Sequence, residues 1–212
     1  MMKFFSLFLF LVLFSCGKKE DILLPKAGVT IVNDVVDHSP IYLFFRSKDN
    51  DTLVEVNRKN SIITTNWILN IDKRLPLKLV IPEVMKLQEK KRKEKAHKND
   101  KAENYYSYAD SIGKNMAFIP FTTVYYKMEK PIAKNPVVCF YKDKIMVNDS
   151  IVKREDLQNY FDAMLIENDA PFVLCFDKNS SYESYIQDKV FIKSIKLNNK
   201  AIRFDGNQEY IF

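Results

Sequence analysis

The residues able to do chemistry are few and scattered. The chain has three cysteines, Cys16, Cys139 and Cys175, and two histidines, His38 and His97. A serine or thiol nucleophile needs a base beside it. His97 lies in a highly charged run and reads as solvated, while His38, between Asp37 and Ser39-Pro40, reads as shaping a turn. The Glu155-Asp156 pair fits an acidic helix start. A structural zinc site needs Cys or His ligands at close spacing, and the chain has no CxxC. The four glycines, Gly17, Gly28, Gly113 and Gly206, are too dispersed for a phosphate-cradling GxGxxG or GxxxxGK[ST] loop. No metal or other cofactor is expected.

Cys16 has a different chemistry. Lys3 and the apolar run Phe4–Phe14 have the form of a signal peptide, too short to span a bilayer. Leu13-Phe14-Ser15-Cys16 resembles a lipobox. The expectation is a signal over 1–15, cleaved ahead of Cys16, which then carries the lipid. A tether follows over 16–28. The location expected is the cell envelope, anchored to a bacterial membrane with the domain outside the cytoplasm.

Two further sets of residues are candidates. Cys139 and Cys175 fall on separate apolar segments, and in an oxidising envelope a disulfide or two buried thiols are both open. Asp72 and Asp177 each follow an apolar segment and precede a helical pattern. They read as a shared ligand or partner position, or as carboxylates favoured near helix starts. Between Lys86 and Lys101 apolar residues nearly vanish, which predicts a solvated helical extension. Its residues Lys90, Lys91, Arg92, Lys93 and Lys95 are candidates for binding an anionic surface.

The elements that must position these residues follow from hydropathy. Hydrophobic residues make up 47% of the chain and aromatics 13%, enough for a packed core despite a net charge of +6. Ile41–Phe45 with Thr52–Val56 reads as a hairpin across Lys48–Asp51, and Ile62–Ile71 as a further strand. A helix is expected from Leu77, kinked at Pro82. The spacing of Tyr105, Tyr108, Ala109 and Ile112 predicts another helix ending at Gly113. Then come strands at 117–126, 137–141 and 145–147, a helix through Leu157, Phe161 and Leu165, and a buried strand Phe172–Phe176. Ser180-Ser181-Tyr182-Glu183 has the form of a capping box, and the C-terminus reads as strands turning at 198–199 and 205–207. Ile68–Lys73 repeats as Val173–Lys178, and the offset of 105 holds from Leu77 to Tyr182 and from Ile81 to Ile186. The fold class expected is α+β: small mixed sheets with helices on one face, built as two related β-hairpin/α units at 29–133 and 134–212.

The stretch from Val137 to about Ile195 resembles the periplasmic domain of the ExbD/TolR biopolymer-transport family. The hairpin 137–147, the helix with Leu157, the buried strand ending in Asp177 and Tyr182 opening a helix carry the resemblance, and the copy at 41–126 echoes it. Family members have a full-length transmembrane helix with an acidic residue. This chain's short apolar N-terminus has none, so the proton-coupled step is not expected. The resemblance implies a non-enzymatic binding or adaptor module that pairs with itself, with an envelope protein or with the cell wall, and no nucleic-acid partner. A lipid-anchored enzyme with an unrecognised site is the alternative.

Overall fold

A computed structural model describes residues 21–94, 99–132, 135–164, 170–196 and 202–212. The fold is α+β, with two six-stranded mixed sheets and three helices among the described residues. In the first unit, β1 (Lys26–Ala27), β2 (His38–Lys48), β3 (Asp51–Asn57), β4 (Asn66–Ile71), α1 (Leu77–Lys93), β5 (Asn104–Asp110) and β6 (Asn115–Pro120) follow in order. They form a sheet β1-β5-β4-β2-β3 with β6 also on β5. The second unit runs β7 (Tyr125–Lys127), β8 (Val137–Phe140), β9 (Ile145–Val147), β10 (Ser150–Val152), a 3-10 turn (Arg154–Asp156), α2 (Leu157–Ala163), β11 (Phe172–Phe176), α3 (Tyr182–Ser194) and β12 (Phe204–Ile211). Its sheet is β10-β9-β8-β11-β12-β7.

The sequence repeat is a repeat of topology. In each unit a hairpin strand (β2, β8) pairs parallel with the strand that precedes a long helix (β4, β11), which pairs parallel with the strand that follows it (β5, β12). A short first strand (β1, β7) then pairs parallel with that last one. The units meet across a pseudo-two-fold axis at Pro76 and Ser181, which bridge each other. The Leu77 N–H donates to the Ser180 carbonyl and the Tyr182 N–H to that of Leu75; Lys78 donates to Lys178 and Glu183 to Lys73. Every member of these pairs is related to its counterpart by 105 residues. One apolar core runs through both units, from Ile41, Trp67 and Val80 to Phe161, Phe176 and Ile186.

Local sequence explains most elements. The β2–β3 turn places Asp49 and Asn50 at φ of 51° and 69°, a conformation these side chains tolerate. Helix α1 continues through Pro82 to Lys93, so the proline expected to kink it does not end it. Helix α3 is capped by Ser181, whose hydroxyl accepts from the Ser184 N–H. The cap is therefore one residue later than the capping box predicted, and Glu183 instead pairs with Lys73 of the other unit.

Four expectations are corrected. Residues 104–110 form a strand, not a helix. Tyr106, Ser107 and Tyr108 are all buried, and a strand covered on both faces loses its period of two, so chance spacings of three and four mislead. Asp205–Asn207 lies within β12, where a register irregularity absorbs the polar residues. Strand β7 pairs with β12, so the second unit begins before residue 134. Part of the segment expected as a tether over 16–28 packs on the first unit: the Leu23 carbonyl accepts from the Lys73 N–H and Lys26–Ala27 pairs with Ala109–Asp110. The expected 198–199 turn lies outside the described residues.

Candidate functional site

Parallel strands and two helices running away from the axis leave a gap at the far end, where the units diverge. This cleft has a volume of about 580 Å³. The first unit lines it with Pro120 and Thr122–Val124, the second with Lys189, Ile192 and Lys193 of α3 and with Phe204–Asn207 and Glu209 of β12. Helix α1 holds the Phe121–Val124 wall in place: Gln88 Nε2 donates to the Phe121 and Val124 carbonyls, and Arg92 to those of Thr122 and Val124.

The inner wall is a buried polar chain that crosses between the units. Lys189 is ion-paired with Glu209, and the Tyr185 hydroxyl donates to the other Glu209 oxygen at 2.6 Å. The Tyr185 and Tyr126 hydroxyls lie 3.3 Å apart, and those of Tyr126 and Tyr106 2.8 Å apart. Burial raises the phenols of Tyr106, Tyr126 and Tyr185 well above their ordinary range, and the Glu209 carboxylate adds to this. They serve as neutral hydrogen-bonding groups around neutral pH. Both carboxylate oxygens of Glu209 are engaged, so the wall contributes shape and fixed polarity. At the mouth, desolvation and the neighbouring Lys189 lower the Lys193 ammonium, opposed by Glu209.

The candidates read from sequence lie elsewhere. Asp72 and Asp177 occupy equivalent turns, where each carboxylate accepts a backbone N–H two residues on, from Arg74 and Asn179. Burial pushes the Asp72 carboxyl up, but the guanidinium and backbone N–H of Arg74 outweigh it and hold the carboxyl below its usual value. Neither residue lines the cleft, and neither is a helix cap; they close the turns that set the two-fold contact. Cys139 and Cys175 stand in register on β8 and β11 and are joined by a disulfide. Cys16 and Lys95 lie outside the described residues, as does His97.

The basic run is not a free extension up to the end of α1. Lys91 is buried, and its ammonium donates to the Thr65 and Glu103 carbonyls and Asn104 Oδ1, 4.8 Å from the Trp67 ring centre. Desolvation lowers it to about 8. Lys91 is thus withdrawn from any surface role, whereas Lys90, Arg92 and Lys93 are exposed. Sequence reasoning missed the Lys189–Glu209–tyrosine chain. Its bonded partners are 20 to 59 residues apart, and only a polar position on an apolar helix face, Lys189 between Tyr185 and Ile192, hinted at it.

The chain thus belongs to the class of two-unit α+β proteins with an internal pseudo-two-fold axis and a cleft between the units. Neither protein families, characterised proteins nor solved structures offer a match to it. Among the described residues, no helix is long and apolar enough to cross a membrane.

Proposed function

We propose that this protein is a lipid-anchored, non-enzymatic binding module of the bacterial cell envelope, similar to the ExbD/TolR soluble domain but without its proton-coupled helix, and that the inter-unit cleft is its binding seat. The observation that carries the reading is the cleft's inner wall. Lys189 and Glu209 neutralise each other and Tyr185 takes the remaining carboxylate oxygen, so these two inner-wall charges are committed to structure, while Glu103, Lys193 and Asp205 also line the cleft. A pre-formed cleft with a few fixed polar groups is the usual form of a binding site, the polar groups orienting what enters. The two-fold contact between the units supports the family reading, in which such domains pair with one another. The lipobox-like Leu13–Cys16 supplies the anchor.

A photo-crosslinking amino acid at Asn207, on the cleft rim, tests the seat in cells. A discrete crosslinked envelope component is expected there, absent when the probe sits at Lys59 on the exposed β3–β4 connection. Equal products from both positions refute the seat. Lipid labelling tests the anchor separately: Cys16→Ala should abolish it, and undiminished labelling overturns the assignment.

A further inference from the structure

The outer faces of both sheets carry a buried apolar cluster, and in the first unit Val29 and Val36 of the connecting segment are 42% and 73% exposed. In the first, the segment between β1 and β2 crosses the face away from the helices, and Val32 and Val35 pack there on Ile68 and Phe118. In the second, the equivalent face carries Val173, Cys175 and Tyr210 with Val137, Cys139 and Phe212 beside them. The segment between β7 and β8 leaves Met128 42% and Ile132 74% exposed, and Ile151 of β10, on the outer face, is 68% exposed. Lysines surround the aromatic part. Lys127 lies over Tyr210, Lys130 over Phe212 and Lys144 over Tyr141, each at 5.1 to 5.5 Å, and Tyr141 meets Phe212 edge-on.

We propose that this outer face of the second sheet rests on the anionic surface of the membrane that holds the anchor. Exposed isoleucine and methionine among lysines match a bilayer interface, where apolar tips enter the headgroup boundary and ammonium groups meet phosphate. The chain path brings the face within reach. The Leu23 carbonyl accepts from Lys73 and the Phe212 carbonyl from Lys178, the residue related to Lys73 by the two-fold axis. Chain start and aromatic patch therefore share one end of the molecule. Cys16 is only five residue steps from Asp21, a reach of about 17 Å. Helix α1 spans 17 residues, about 25 Å, and carries Lys90, Arg92 and Lys93 to the opposite end beside the cleft. The membrane contact thus belongs to the lysines around the sheet, and the cleft is left open to the aqueous side.

The orientation rests on the anchor proposed above, but the contact is measured without it. The unlipidated mature chain carrying Cys16→Ala is sedimented with phosphatidylcholine vesicles, with and without phosphatidylglycerol. Binding is expected only with phosphatidylglycerol and weakens with salt. A basic residue close to an anionic surface contributes a factor of about five. The triple variant Lys127→Gln, Lys130→Gln, Lys144→Gln should therefore bind on the order of a hundredfold more weakly, while Lys90→Gln with Lys93→Gln binds as the parent does. Ile151→Asp leaves every lysine in place and should also weaken binding. Absence of binding, binding indifferent to phosphatidylglycerol, or loss confined to the Lys90/Lys93 variant overturns the proposal. Since this chain cannot be acylated, none of these outcomes depends on whether Cys16 carries a lipid in cells.

Discussion

Removing Lys189 should expose how the cleft wall is held. The Lys189 and Glu209 side chains are 6% and 4% exposed, and Glu209 also accepts from the Tyr185 hydroxyl. Lys189→Met keeps most of the volume and leaves a buried carboxylate with one hydroxyl partner. Breaking one side of a buried ion pair costs about 3–5 kcal/mol, a large share of the roughly 5–15 kcal/mol that holds a domain of this kind together. The orphaned carboxylate can escape by taking up a proton, so the deficit should shrink between pH 7.5 and pH 5. The double variant Lys189→Met, Glu209→Gln removes both charges and keeps a partner for Tyr185, so it should recover most of the loss. Urea unfolding of parent, single and double variants at both pH values measures this. A Lys189→Met deficit below about 1 kcal/mol, or one equal at both pH values, would refute the reasoning. So would strictly additive single variants, because coupled partners depart from additivity.

Three further outcomes are expected. Tyr182 is fully buried and its hydroxyl has no hydrogen-bond partner among the described residues, so Tyr182→Phe should leave stability unchanged or raise it by about 1 kcal/mol; Tyr185→Phe, which loses a bond to a carboxylate, should cost about 1.5–3 kcal/mol by the same urea assay. Burial raises the Asp188 carboxyl to about 6, although Arg154 pairs with it and pulls it down. The folded state then binds more protons than the unfolded state between about pH 4 and 6, so stability falls as pH rises through that window and Asp188→Asn should flatten the slope; an unchanged slope removes Asp188 from the account. Reducing the Cys139–Cys175 disulfide, whose partners are 36 residues apart, should lower stability by about 4 kcal/mol or somewhat less, and a reductant-insensitive melt would contradict it.

The sequence determined most of what depends on neighbours along the chain. The α+β class, the β2–β3 and β8–β9 hairpins, the buried strand Phe172–Phe176 and the helix face with Leu157 and Phe161 were legible in it, and all of these residues of β11 and α2 are buried. The 105-residue repeat was visible because strand, Asp-Lys turn and helix start are local patterns. Where both faces of a segment are covered the pattern vanishes, and β5 was misread for that reason. A lone charge on a helix says nothing about the carbonyls that come to meet it, so Lys91 read as solvated although the Thr65, Glu103 and Asn104 oxygens enclose it. The tertiary structure alone decided what lies between elements far apart in sequence. It placed Asp72 and Asp177 in turns at the two-fold contact and joined Cys139 to Cys175. It also drew Glu209, Lys189, Tyr185, Tyr126 and Tyr106 into one chain. A residue's partners across a core are fixed by the packing of whole elements, and sequence periodicity records only which side of an element faces inward, not what waits there.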